Sequence, residues 1–291
     1  MANTAPFDLV AALTTPAPAR DYVIPGLIAG SCGAIISPGG VGKSMLALQL
    51  AASLSGSLDS GLRGSFGLPD LHKTLYLSAE DPPEELHNRV ADIAAGTASE
   101  RNIAAWAANC EIVTTAGGVK IDTIADADWL AQAAVGKRLV IIDTLRRVHS
   151  RDENNNGEMS QVLEVFERIA RDTKTAFLIL HHTPKPNIGA AVSARGASAI
   201  SDNLRYVGTL RAVTDKEAAG FGVSDAERWR HVVYEIIKCN YGMPPETCWY
   251  CKGRGGRLEL VGTVEAVLRS AATPQARTAV AAQGGDDDEK W

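Results

Sequence analysis

No apolar run among the 291 residues approaches the roughly 20 needed to cross a bilayer, and the N-terminus lacks the basic-then-apolar order of a secretory signal. A cytoplasmic location is therefore expected. Cationic excess is missing too. The formal net charge of -5 argues against a histone-like, charge-driven binder of nucleic acid, although a ring can keep its basic groups inside a channel. Cysteine is scarce: Cys32, Cys110, Cys239, Cys248 and Cys251 are an odd number without an export signal, so reduced thiols are expected and a disulfide framework is not. Cys248-Trp249-Tyr250-Cys251 supplies half of a zinc site, but no second CxxC or nearby His pair completes four ligands. No internal repeat is visible.

What remains is ordinary globular composition, 45% hydrophobic and 22% charged, enough to fill a sizeable core. Residues 1–25 are rich in Ala, Pro and Thr. Pro6, Pro16, Pro18 and Pro25 bar a long continuous helix there, so the segment reads as an arm, packed on a neighbouring subunit or loosely ordered. Residues 263–291 end in an acidic, Ala-, Gln- and Gly-rich stretch, which is expected to be disordered because it cannot bury enough apolar surface. Between these, residues 26–262 alternate short apolar runs with longer helical patterns, the mark of an α/β core with a mainly parallel sheet covered by helices.

The strands are expected at Gly33–Ile36, Thr74–Leu77, Glu111–Thr114, Arg138–Ile142, Ala176–Leu180, Leu204–Leu210 and His231–Ile237. Helices are expected over Lys43–Leu54, Pro83–Ala95, Ala125–Val135 and Glu158–Asp172. In the last helix Val162, Leu163, Val165, Phe166 and Ile169 form a stripe that reads as core. Gly253, Gly255 and Gly256, between two strand-like stretches of Trp249–Leu260, suggest a terminal hairpin.

The strongest chemical signal is Ser37-Pro38-Gly39-Gly40-Val41-Gly42-Lys43-Ser44, which follows an apolar run and opens a helical one. The glycines let the chain turn tightly and aim successive N–H groups at phosphates, with the partial positive charge of the helix N-terminus behind them. Lys43 reaches the terminal phosphates, and the Ser44 hydroxyl is offered to Mg²⁺. Ser37 stands where the general pattern has Gly, but the Gly-Lys-Ser core is intact.

Three further apolar runs end in polar groups. Leu139-Val-Ile-Ile-Asp143 delivers a carboxylate to the metal side, so Asp143 is assigned with Ser44 to Mg²⁺. Thr74-Leu-Tyr-Leu-Ser-Ala-Glu80-Asp81 places two carboxylates past a strand end. Glu80 is taken as the group that orients or deprotonates the attacking water, and Asp81 either joins the nucleotide site or caps the following helix. Ala176-Phe-Leu-Ile-Leu-His181-His182 ends in two imidazoles on opposite faces of one strand, so only one can sense a γ-phosphate. His182 is the assignment adopted, with His181 the alternative.

Ser-Pro-Gly-Gly-Val-Gly-Lys-Ser, Ala-Glu-Asp-Pro-Pro, Ile-Asp-Thr-Leu-Arg-Arg, Leu-His-His, Ser-Asp-Asn-Leu-Arg and Lys-Cys-Asn-Tyr-Gly occur here in one order. In order and spacing the chain, over about Asp21 to Leu260, resembles the RepA-type replicative helicases of broad-host-range, IncQ-like plasmids. That resemblance implies a RecA-like core and a homohexameric ring that hydrolyses ATP with Mg²⁺ and translocates on single-stranded DNA. It also implies a plasmid initiator and a primase as partners. It assigns Arg205 as the finger given to the neighbouring subunit's nucleotide, with Lys238 a second cation at that interface. The loop Thr183–Arg195, carrying Lys185 and Arg195, is then the channel loop that grips DNA phosphates. Two other readings stay open: a RecA-like recombination or regulatory ATPase without unwinding, and a nucleotide-gated interaction module.

Overall fold

The computed structural model describes residues 6–58, 71–95, 99–115, 118–183 and 200–266. Five short runs, apolar for most of their length, form strands: β3 (Cys32–Ser37), β4 (Thr74–Ser78), β5 (Cys110–Thr114), β6 (Leu139–Asp143) and β7 (Ala176–His182). Four of them are buried along nearly their whole length, as strands covered on both faces must be, while β5 sits half-exposed at the sheet edge. They pair in parallel, and β8 (Tyr206–Ala212) joins β3 in the same sense. Then β9 (His231–Cys239), β10 (Cys248–Lys252) and β11 (Leu258–Thr263) extend the sheet antiparallel. The order is β11-β10-β9-β8-β3-β7-β6-β4-β5. An antiparallel pair, β1 (Tyr22–Ile24) and β2 (Leu27–Ile28), precedes it.

Strand alternation divides the core in two. Ile35, Tyr76, Ile141, Leu178 and Leu180 face one side, where helix α2 (Lys43–Gly56) lies flanked by α3 (Pro83–Ala94) and α4 (Glu100–Asn109). Ala34, Ile36, Val140, Ile142, Phe177 and Ile179 face the other, against α5 (Ile124–Ala134) and α6 (Asn156–Thr173). The α6 stripe Val162, Leu163, Phe166 and Ile169 is core as expected, with Val165 packed at its margin. Helix α2 has no polar face because it is enclosed by sheet and helices on all sides.

Every strand and helix expected from the sequence is present, with ends moved by a few residues. The hairpin reaches Thr263, one residue past the boundary set for the core. Features not expected include α4, which buries only Trp106; the β1–β2 pair; and α7 (Asp215–Phe221). Helix α7 begins with a reciprocal Thr214–Glu217 capping box. In the arm, Asp8 caps a six-residue helix, α1 (Leu9–Thr14), none of whose residues is buried. Of residues 263–291, assigned to a disordered tail, all from 267 onward lie outside the described residues, as do Lys185 and Arg195. None of the helices among the described residues is long and apolar enough to cross a membrane.

One contact fixes the hairpin above the glycine loop. Gln49 of α2 donates from Nε2 to the Leu258 carbonyl at 2.9 Å and accepts the Leu258 N–H at Oε1 at 2.8 Å, so a buried side-chain amide acts as a strand partner. The hairpin tip is held on α3 by Arg254 to Asp92, 3.4 Å, and by Arg257 donating to the Ala95 carbonyl at 3.0 Å.

Candidate nucleotide site

The glycine loop leaves β3 at its C-terminal end, where an open parallel sheet holds its ligands. Gly40 and Gly42 have φ of +80° and +108°, conformations that side-chain-bearing residues rarely adopt. Gly42 is the N-terminal cap of α2 and has no capping side chain, which leaves the first N–H groups of the helix aimed into the loop. A cavity of about 340 Å³ opens there, lined by Gly42, Lys43, Ser44, Glu80, Arg89 and His182 among others.

Sheet register brings the other groups in. Ser37 pairs with His182 and Ser78 with Asp143, so the ends of β4, β6 and β7 lie side by side next to the loop. Lys43, 4% exposed, lies 3.0 Å from Nδ1 of His182 and also reaches the Ser37 and Pro38 carbonyls at 3.4 and 3.5 Å. An ammonium can only donate, so Nδ1 accepts and the ring proton sits on Nε2. That nitrogen faces Glu80 Oε2 at 3.2 Å. Lys43, His182 and Glu80 thus form one chain of hydrogen bonds. Burial lowers the Lys43 ammonium to about 8, against the opposing pull of Asp143 and Glu80.

Asp143 is 1% exposed and accepts the Tyr76 hydroxyl at 2.5 Å. Burial raises its carboxyl, while hydrogen bonds from Tyr76 and Ser44 act the other way. Its second oxygen, Oδ1, is buried without a hydrogen-bond partner among the described residues. An acceptor left bare beside the Ser44 hydroxyl fits a hard divalent cation such as Mg²⁺, which takes oxygen ligands.

Asp81 does not cap α3: the cap residue is Pro82, without a side-chain bond. Asp81 instead pairs with Arg89 at 2.6 Å, and Arg89 also holds Glu85 at 3.2 Å, so the carboxylate is spent on an arginine at the cavity wall. Two cations at the cavity wall escaped the sequence reading. Arg89 follows Asp81 by two helical turns, a spacing that was readable. Lys252, at the end of β10, donates to the Gly40 carbonyl at 3.2 Å, and nothing local in the sequence marks it.

His181 is not in this site. It points to the other face of β7, is 5% exposed, and burial lowers it to about 4, with the neighbouring basic groups His182, Lys43 and His149 acting in the same direction. Arg205 is not there either. It precedes β8, where Tyr206 pairs with Gly33, so it lies at the opposite end of the strands, level with Cys32 and five β3 residues or roughly 16 Å from Ser37 at about 3.3 Å per residue. It is exposed and has no ion pair among the described residues. Lys238 lies at the same end, opposite Val207, donating to the Ser201 and Asp202 carbonyls at 2.6 and 3.1 Å. Cys248 and Cys251, three apart on β10, project to opposite faces, so their spacing does not make half of a zinc site.

Residues 3–187, well over half of the chain, match the family described as AAA domain. The chain belongs to that family. The AAA domain defined here is a P-loop NTPase by its loop, Lys43 and Asp143. Its fold is shared with solved structures of low sequence identity. A structure of the RadB recombinase is 17% identical with a TM-score of 0.52, covering 81% of this chain and 93% of that one. A KaiC-like protein from the hyperthermophilic archaeon Pyrococcus horikoshii OT3 is 14% identical with a TM-score of 0.54, covering 84% and 96%. The ATPase domain of G40P is 16% identical with a TM-score of 0.53, covering 80% and 85%. All three share the RecA-like arrangement of a mostly parallel sheet between helices.

Proposed function

We propose that this AAA domain is an ATP-driven motor that assembles into a ring, translocates on single-stranded DNA and separates strands, as the RepA-type plasmid helicases do. The observation that carries the reading is the division of the site. Lys43, Ser44, Glu80, Asp143 and His182 meet at one end of the strands, while Arg205, exposed and without an ion pair among the described residues, stands at the other. A nucleotide is then completed only by a second copy of the chain. The exposed apolar side chains of the arm, Phe7, Leu9, Val10 and Leu13, supply a surface for that second copy.

In this mechanism the amides of residues 39–44 and the Lys43 ammonium hold the triphosphate. The oxygen ligands Ser44 and Asp143 hold Mg²⁺, which when bound neutralises charge on the phosphates. Phosphate takes over the ammonium now given to His182, and once that contact is gone the ring can carry a proton on Nδ1 and donate it to the γ-phosphate. Glu80, half-exposed at the cavity mouth, orients water and accepts its proton.

ATP turnover is expected to rise on adding a single-stranded oligonucleotide and to vanish in Lys43→Ala, with rings seen by electron microscopy in the presence of an ATP analogue. Turnover indifferent to DNA removes the helicase reading. The likeness to the RadB recombinase favours a second reading, a recombination ATPase without unwinding, for which filaments replace rings.

A pH dependence follows from Lys43. Its proton leaves at about 8 in the free protein, and a bound triphosphate holds it more tightly, so binding above pH 8 takes up a proton. ATP affinity is expected to be level below pH 8 and to fall as pH rises through it, by up to about tenfold per unit. Titration of a fluorescent ATP analogue from pH 7 to 9.5 measures this, and an affinity that stays constant throughout contradicts it.

A further inference from the structure

Behind the nucleotide site, on the other face of β7, three buried polar atoms converge. His149 Nε2 and His181 Nδ1 each lie 3.8 Å from Oε1 of Glu153. None of the three atoms has a hydrogen-bond partner among the described residues. The His149 side chain is wholly buried and that of His181 is 6% exposed, so solvent does not satisfy them. Buried polar groups are almost always paired, which makes three bare atoms at one point an arrangement with a purpose.

The tautomer of His149 is decided by its other nitrogen. Nδ1 accepts the Arg151 N–H at 3.2 Å, so the proton of the neutral ring is on Nε2, pointing at Glu153. Burial keeps both imidazoles neutral by lowering them and raises the Glu153 carboxyl. The other charges facing the cluster include Arg146, 3.6 Å from Glu153 Oε2, Asp152 beside Glu153, and Lys120 and Asp122 beside His149. Lys43 and His182 act on His181 from across the strand.

The chain positions of the three residues give the cluster its meaning. His181 is followed directly by His182, whose ring is tied to Lys43 and Glu80. His149 and Glu153 lie on the segment that leaves Asp143, and Thr144 of that segment already donates to the Leu180 carbonyl at 2.7 Å. At 3.8 Å both contacts to Glu153 are about 0.6 Å longer than the upper end of an ordinary hydrogen bond. A shift of that size at the end of β7 closes them.

We propose that Glu153 is a positioning residue of hydrolysis: with nucleotide bound it accepts the N–H groups of His149 and His181, holding the end of β7 so that His182 meets the γ-phosphate. This inference rests on the ATPase reading above. Its test is steady-state ATP hydrolysis by the full chain as wild type, Glu153→Ala and Glu153→Gln, with the dissociation constant of a fluorescent ATP analogue and the thermal midpoint measured alongside. In Glu153→Ala, kcat is expected to fall at least about tenfold, the scale of a small misplacement of a catalytic group. Analogue affinity should stay within about twofold, since only transition-state geometry is lost. Glu153→Gln keeps a carbonyl acceptor for both rings and is expected to restore most of kcat. Wild-type kcat in Glu153→Ala overturns the proposal, as does a parallel loss of kcat, affinity and thermal midpoint that Gln does not rescue. A wild type that turns over no ATP removes the ATPase reading and this one together, whereas an active wild type matched by Glu153→Ala removes this one alone. If Glu153→Ala is too unstable to assay, His149→Ala takes its place: it removes one donor and leaves His181, and the same split between kcat and affinity is expected, with unchanged kcat overturning the proposal.

Discussion

Arg205→Ala is expected to reduce ATP turnover by about 10³-fold or more while leaving ATP binding nearly unchanged. That is the range associated with an arginine finger supplied to the transferring phosphoryl group. The expectation follows from where the side chain cannot go. Arg205 stands at the end of the strands away from the glycine loop, exposed and without an ion-pair partner among the described residues. Within one chain it has nothing to do for a nucleotide at Lys43. Across the proposed seam between two copies it would be a guanidinium offered at a strand start. The decisive measurement is a mixing experiment. Arg205→Ala and Lys43→Ala are each expected to be inactive alone, but a mixed assembly would contain seams that join an intact loop to an intact finger. Turnover should therefore reappear on mixing. If it does not, or if Arg205→Ala is active by itself, the shared site is wrong.

Glu80→Gln is expected to lower kcat by about 10²- to 10⁴-fold, the contribution typical of a positioned general base, again with ATP still bound. Glutamine keeps the size of the side chain and can still bond to His182, but it cannot take a proton from water. The neighbouring carboxylate cannot substitute, because Asp81 is held by Arg89 at 2.6 Å. A rapid-quench assay that separates ATP binding from the hydrolysis step checks this. Retention of near-normal single-turnover hydrolysis in Glu80→Gln removes Glu80 from the chemistry and leaves it only the task of holding His182.

Much of the site was readable because its signals are local. A glycine loop between an apolar strand and a helix can be recognised from eight consecutive residues, since the backbone turn and the helix N-terminus that bind phosphate are formed by those residues themselves. Strand ends carrying Asp143, Glu80 and the two histidines were equally plain, because a polar group terminating a buried run has one edge of the sheet to occupy. The choice between Asp81 as cap and as site residue was not local. It depended on whether Arg89, two turns into α3, would fold back onto it, which it does.

The sequence by itself determined the α/β class, the loop and the identity of its lysine, and the opposite facing of His181 and His182, because each follows from the periodicity or turn chemistry of a few adjacent residues. Tertiary structure alone decided the rest. Sheet order placed β7 and β6 beside β3 and β4, so that Lys43, His182 and Glu80, distant in the chain, share one line of hydrogen bonds. It also brought Lys252 to Gly40 across 212 positions and Leu258 to Gln49 across 209. It carried Arg205 to the far end of the strands and gathered His149, Glu153 and His181 into one buried point. Such pairings arise from the packing of whole layers, where the free energy of burying two faces of a sheet selects the neighbours, and no short stretch of residues encodes them.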